Sequence, residues 1–173
     1  MRRRSHLVFF RYLAYSLEIL VLFLLQQTPY LIPELWGIRP VLLFPAALAI
    51  ALYESETVSM IFGAICGLLV DFGHSTVLGL HAALLAVLCY LISLMVVNLF
   101  KTNLFTALLL GCSCIILLYL FQWLFFYLFQ GYDYPGYALW RHYLPRMLYT
   151  MLFLPVAYYF NRAFALFLRE PTK

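Results

Sequence analysis

Long apolar stretches broken by short polar clusters set the pattern of this chain. The first covers residues 7–27 and stops at Thr28. Residues 29–40 then carry three prolines, a glycine and a tryptophan, and read as a loop at a membrane interface. Two shorter runs follow, 41–53 and 58–70, separated by Glu54-Ser55-Glu56-Thr57. Each is about 13 residues, and a helix of that length rises only ~20 Å against a hydrocarbon core of ~30 Å. The pair predicts either two short spans whose ends take in polar residues or a re-entrant hairpin. Runs 78–100, 104–129 and 147–168 are each long enough to cross a bilayer, with a kink expected at Pro155. No internal repeat, linker or low-complexity segment interrupts them.

Composition turns this pattern into a class. Of 173 residues, 66% are hydrophobic and 10% charged, against roughly half and a quarter in soluble domains. Mean hydropathy is +0.94. About six spans of ~20 residues use ~120 residues, which leaves no room for a separate soluble domain. The expected fold is therefore an all-α polytopic membrane protein of about six transmembrane helices, one integral membrane domain over residues 1–173, with the second and third helices short. Residues 7–25 are too long for a signal-peptide core and lack a small-residue cleavage site, so the first run is expected to stay as a span.

Charge then orients the spans. With six spans, Arg2, Arg3, Arg4, Lys101, Arg162, Arg169 and Lys173 fall on one side, and Arg39, Arg141 and Arg146 on the other. That excess places both termini in the cytoplasm. The outer side also gathers Tyr30, Trp36, Tyr132, Tyr134, Tyr137, Trp140 and Tyr143, as an aromatic belt does, and residues 130–146 form the largest exposed loop. Single-cysteine labelling should find Gly136 accessible only from outside and Thr172 only from the cytoplasm; labelling of Thr172 from outside in intact cells would overturn this topology. The net charge of +4 clusters only at Arg2, Arg3 and Arg4, an orientation signal, so no nucleic-acid partner is expected.

Few residues inside the runs carry chemistry. Ser59, Gly63, Gly67 and Asp71 recur every four residues and share a helix face, where the two glycines let another backbone approach closely. That stripe suits helix packing within the chain or docking of a partner helix. Leucine at Gly63 or Gly67 is expected to cost ~1–3 kcal/mol, and alanine less. Asp71, followed by a sharp turn at Phe72-Gly73-His74-Ser75, is placed to cap the next helix near Thr76. Glu18 lies just past the middle of the first span, where an unpaired carboxylate is costly. It calls for the protein interior, a proton or a cation from another helix. Arg11 is on the same face but two turns away, ~10 Å, too far for a direct bridge.

No catalytic residue is expected. Gly111-Cys112-Ser113-Cys114 resembles a GxSx nucleophile site only superficially, lying among leucines with no basic partner placed by sequence. His74 and His81 flank a turn with Asp71 as their only nearby carboxylate, a poor metal site. Cys66, Cys89, Cys112 and Cys114 all lie in apolar runs and read as reduced structural thiols. HExxH, Walker A and GxGxxG motifs are missing, so no cofactor and no metal is implied.

Arg39-Pro40, then Gly63-Ala64-Ile65-Cys66-Gly67-Leu68-Leu69-Val70-Asp71, then Leu78-Gly79-Leu80 resemble the rod shape-determining protein MreD family, over about residues 39–90. The resemblance implies a bacterial inner-membrane component of the cell elongation complex that works with MreC, the MreB filament, the RodA polymerase and its transpeptidase. It implies no catalytic residues. Gly63, Gly67 and Asp71 match the family pattern, with a structural or assembly role. A reading from another class is the substrate-binding membrane component of an energy-coupling-factor vitamin transporter, for which Ala47 and Ala51 offer a small-residue face. Such a component needs a polar pocket reached from outside, and the outer loops here carry mostly aromatics.

Overall fold

Each apolar run becomes helix in the computed structural model of the chain, which describes residues 2–28, 31, 33, 38–74, 78–98, 103–128 and 135–168. The helices are α1 (Arg2–Gln27), α2 (Leu43–Ala51), α3 (Glu56–His74), α4 (Leu80–Asn98), α5 (Leu104–Trp123), α6 (Pro135–Ala138), α7 (Leu144–Leu152) and α8 (Leu154–Leu168). Wider π-helical turns, Leu124–Leu128 and Leu139–Tyr143, follow α5 and α6. Among the described residues, four segments are long and apolar enough to cross a membrane: Val8–Gln27, Glu56–Gly73, Leu80–Val97 and Leu104–Phe126. Among the expected outer aromatics, Tyr137 and Trp140 are exposed. Tyr30, Trp36, Tyr132, Tyr134, Lys101, Arg169, Lys173 and Thr172, with the side chains of Arg2, Arg3 and Arg4, lie outside the described residues.

Only one of the two short runs makes a short helix. α2 has nine residues, but α3 has 19 and rises ~28 Å. The apolar count undersized it because the helix takes in Glu56 and Thr57 at one end and Asp71 to His74 at the other. Glu56 in the first turn favours the positive end of the helix dipole. The turn between α2 and α3 is closed by Tyr53 N–H and Glu54 N–H on the carbonyl of Ile50, and the Glu54 carbonyl accepts the hydroxyls of Ser59 and Ser93.

α2 runs antiparallel to α1. Leu42 N–H donates to Gln26 Oε1 at one end, and Glu54 pairs with Arg11 at the other. The stretch of α1 between these contacts rises ~22 Å. α2 itself is not among the four segments long and apolar enough to cross a membrane. All nine residues of α2 are buried, and it touches α1, α3, α4, α5, α7 and α8. Four alanines and a proline among its nine residues keep its profile thin enough for that many neighbours.

The final run divides into two helices at Phe153, two residues before Pro155. Proline lacks an N–H and its ring crowds the carbonyl of the residue four back. The chain accommodates this with Phe153 N–H on the Thr150 carbonyl, after which Ala157 N–H bonds to Phe153 and α8 resumes.

Candidate functional site

Lipid tails satisfy apolar surface as well as a neighbouring helix does, so tight packing and buried polar contacts decide how membrane helices associate. The tightest packing joins α3 to α4. A Cβ added at Gly67 would lie 2.4 Å from Ala82 Cα and 2.5 Å from the His81 carbonyl oxygen. At Gly63 it would lie 2.8 Å from the Leu85 carbonyl oxygen and 2.9 Å from Cys89 Sγ. The small-residue stripe therefore faces α4 and is covered by it.

Asp71, at the end of this stripe, serves the same pair of helices. Its Oδ2 accepts the N–H groups of Gly79 at 2.8 Å and Ala82 at 3.3 Å, and its Oδ1 accepts His81 N–H at 3.3 Å. These are donors that the start of α4 otherwise leaves unpaired. The His81 ring adds Nδ1 at 2.6 Å from Oδ1 and stacks on Phe44 of α2. α4 begins at Leu80, four residues beyond Thr76, after a turn in which Gly79 takes φ +94°, a conformation that favours glycine. Among the described residues no three His, Cys, Asp or Glu side chains gather as a metal site. The Ser113 hydroxyl donates to the carbonyl of Leu110.

α1 is attached differently, by polar side chains on its inward face at positions 11, 15, 18 and 26. Arg11 meets Glu54 through one hydrogen bond, Nη2 to Oε2 at 2.9 Å, with Nε 2.7 Å from Oε1. Tyr15 is fully buried and packs edge-on against Phe62. Glu18 Oε1 accepts Asn161 Nδ2 at 2.9 Å, a contact across 143 positions of sequence. Gln26 holds Leu42 N–H, while Thr150 Oγ1 accepts Val41 N–H at 3.2 Å. Side chains of α1 and α7 thus serve backbone donors ahead of α2.

The opposite face of α1 is apolar and open, with Leu13, Leu17, Leu20 and Leu24 at least half exposed. Between this helix and α8 runs a groove of about 650 Å³, walled by Leu17, Val21, Val156 and Phe160, with Pro45 of α2 and Glu18 also in its lining. Glu18 itself is only 7% exposed, and its Oε2 has no hydrogen-bond partner.

Of the residues singled out by sequence, Gly63, Gly67 and Asp71 come together at the α3–α4 contact, and Glu18 lies apart in the α1–α8 groove. Sequence reasoning missed the Arg11–Glu54 pair, Asn161 as the partner of Glu18, and Gln26. The helical spacing of Arg11, Tyr15, Glu18 and Gln26 was the available signal for α1. Asn161, a carboxamide inside an apolar run, was the signal for α8.

No curated protein and no solved structure matches the chain. A family model described as rod shape-determining protein MreD matches residues 4–163. With nearly the whole chain covered, the protein belongs to the MreD family.

Proposed function

We propose that this protein is a non-enzymatic scaffold of the bacterial inner membrane, with both termini in the cytoplasm, that binds an MreC-like partner and helps organise peripheral peptidoglycan synthesis. Family membership carries the coarser statement, a role in rod shape determination. In this reading the MreB filament, the RodA polymerase and its transpeptidase are reached through the assembly. The observation that carries the scaffold is how the buried polar groups are used. Arg11, Glu54, Asp71, His81 and Gln26 all join one helix to another within the chain. The open groove is apolar apart from Glu18, so it offers a vitamin-like solute no converging set of hydrogen-bonding groups.

Depletion should turn rods into rounded cells, and purification in mild detergent should recover the MreC-like protein in a fixed ratio. Unchanged cell shape together with recovery of a bound small molecule and an ATPase pair would refute the scaffold and favour a transporter component.

A further inference from the structure

We infer that the groove between α1 and α8 seats a single membrane-crossing helix of a partner protein, one that carries a hydroxyl, carboxamide or cationic side chain at mid-span to meet Glu18. This rests on the scaffold reading and says where on the protein the partner docks. The other face proposed from sequence for such docking, the Gly63 and Gly67 stripe, is already filled by α4.

Three features of the groove select the occupant. Its lining extends along α1 from Phe10 to Leu25 and along α8 from Val156 to Phe164, with Phe153 just ahead of α8. The stretch from Phe10 to Leu25 rises ~22 Å, most of the hydrocarbon thickness, so the α1 wall has the length of a crossing segment and the α8 wall about half of it. Its walls are apolar, made by Leu13, Leu17 and Val21 facing Val156 and Phe160, with Phe164 further along α8. Glu18 breaks this uniformity. One of its oxygens holds Asn161, and the other has no partner. Ionisable groups at this depth pair with one another or with backbone carbonyls rather than face lipid.

Depth separates a helix from a lipid. Glu18 is near the middle of the apolar segment Val8–Gln27, ~15 Å from either end. Lipid polar groups stay at the surface, and acyl chains offer nothing to a carboxyl group. A hydrogen-bonding group fixed at that depth comes from a membrane-crossing segment of protein.

Photocrosslinking tests this in intact cells. A photoreactive amino acid replaces Leu17, in the groove wall, or Val87, an exposed residue of α4, with the full chain otherwise unchanged. Leu17 should give at least tenfold more protein adduct than Val87. The adduct should map to a membrane-crossing segment of another protein, within one turn of a Ser, Thr, Asn, Gln, Lys or Arg. Glu18→Leu should lower the yield about tenfold, and Glu18→Gln should keep most of it. Val156→Trp fills the groove from the α8 wall and leaves the Glu18 side chain in place, so it should lower the yield as much, which covers the case in which Glu18→Leu fails to fold. Adducts only with lipid, only with a second copy, or with a segment lacking a polar mid-span residue would overturn the inference. If the MreC-like protein still copurifies in that case, only the docking site falls. If it does not copurify and cell shape is normal, the scaffold reading falls with it.

Discussion

Gly67→Ala is expected to remove most of the folded protein, and Gly67→Leu to leave none. A methyl group at this position would sit 2.4 Å from Ala82 Cα and 2.5 Å from Ala82 N, both backbone atoms. A flexible side chain swings away from such a clash at ~1–3 kcal/mol, but backbone moves only with its helix. α3 would have to retreat from α4 along much of their crossing, at a cost above ~3 kcal/mol, a large part of the stability of an ordinary domain. Alanine is thus not mild at Gly67, contrary to what a bare small-residue stripe suggests. Gly63→Ala should be milder, because part of its contact is the Cys89 side chain. The monodisperse fraction in mild detergent and the thermal midpoint measure both. A wild-type midpoint for Gly67→Ala would mean that the two helices cross more loosely than this structure shows.

Arg11→Leu is expected to cost ~3–5 kcal/mol, because it leaves Glu54 charged in a place where its side chain is only 3% exposed. The reverse change, Glu54→Leu, should cost about half as much by the same rule. The Arg11 side chain is 20% exposed, and a stranded arginine can extend its head toward the membrane surface. Removing both charges together should recover much of the loss, since the penalty belongs to the buried charge that remains rather than to the missing pair. Thermal midpoints of the two single variants and the double variant decide the matter. Additive losses would show that the side chains act independently.

Hydropathy located α1, α4 and α5 closely, because their apolar runs and helices nearly coincide. It undersized α3, where Glu56 and Asp71 belong to the helix and are held by its start and by the next helix. It expected a kink at Pro155, and the chain interrupts its helix at Phe153, two residues earlier, where the proline's missing N–H and bulk are accommodated. The site was legible in kind but not in pairing. Glu18 stands out as a carboxylate within an apolar run, and nothing local points to Asn161 as its partner. Arg11 faces Glu18 along its own helix yet bonds to Glu54, brought near only by the antiparallel course of α2. The glycine spacing announced a close approach, and which helix makes that approach is a property of the fold. The groove was invisible in sequence because it is a separation between α1 and α8 rather than a property of either.

α2 has a consequence for how the protein is made. Nine residues of helix rise ~14 Å, too little to rest in a bilayer without neighbours. The walls around it come from α1 and α3 on either side in sequence, from α4 and α5, and from α7 and α8 more than ninety residues later. During synthesis α7 and α8 have to emerge from the ribosome before this segment gains its full surroundings. Until then its central helix depends on the insertion machinery, and a chain cut short before α8 offers membrane quality control an unfinished centre rather than a smaller working protein.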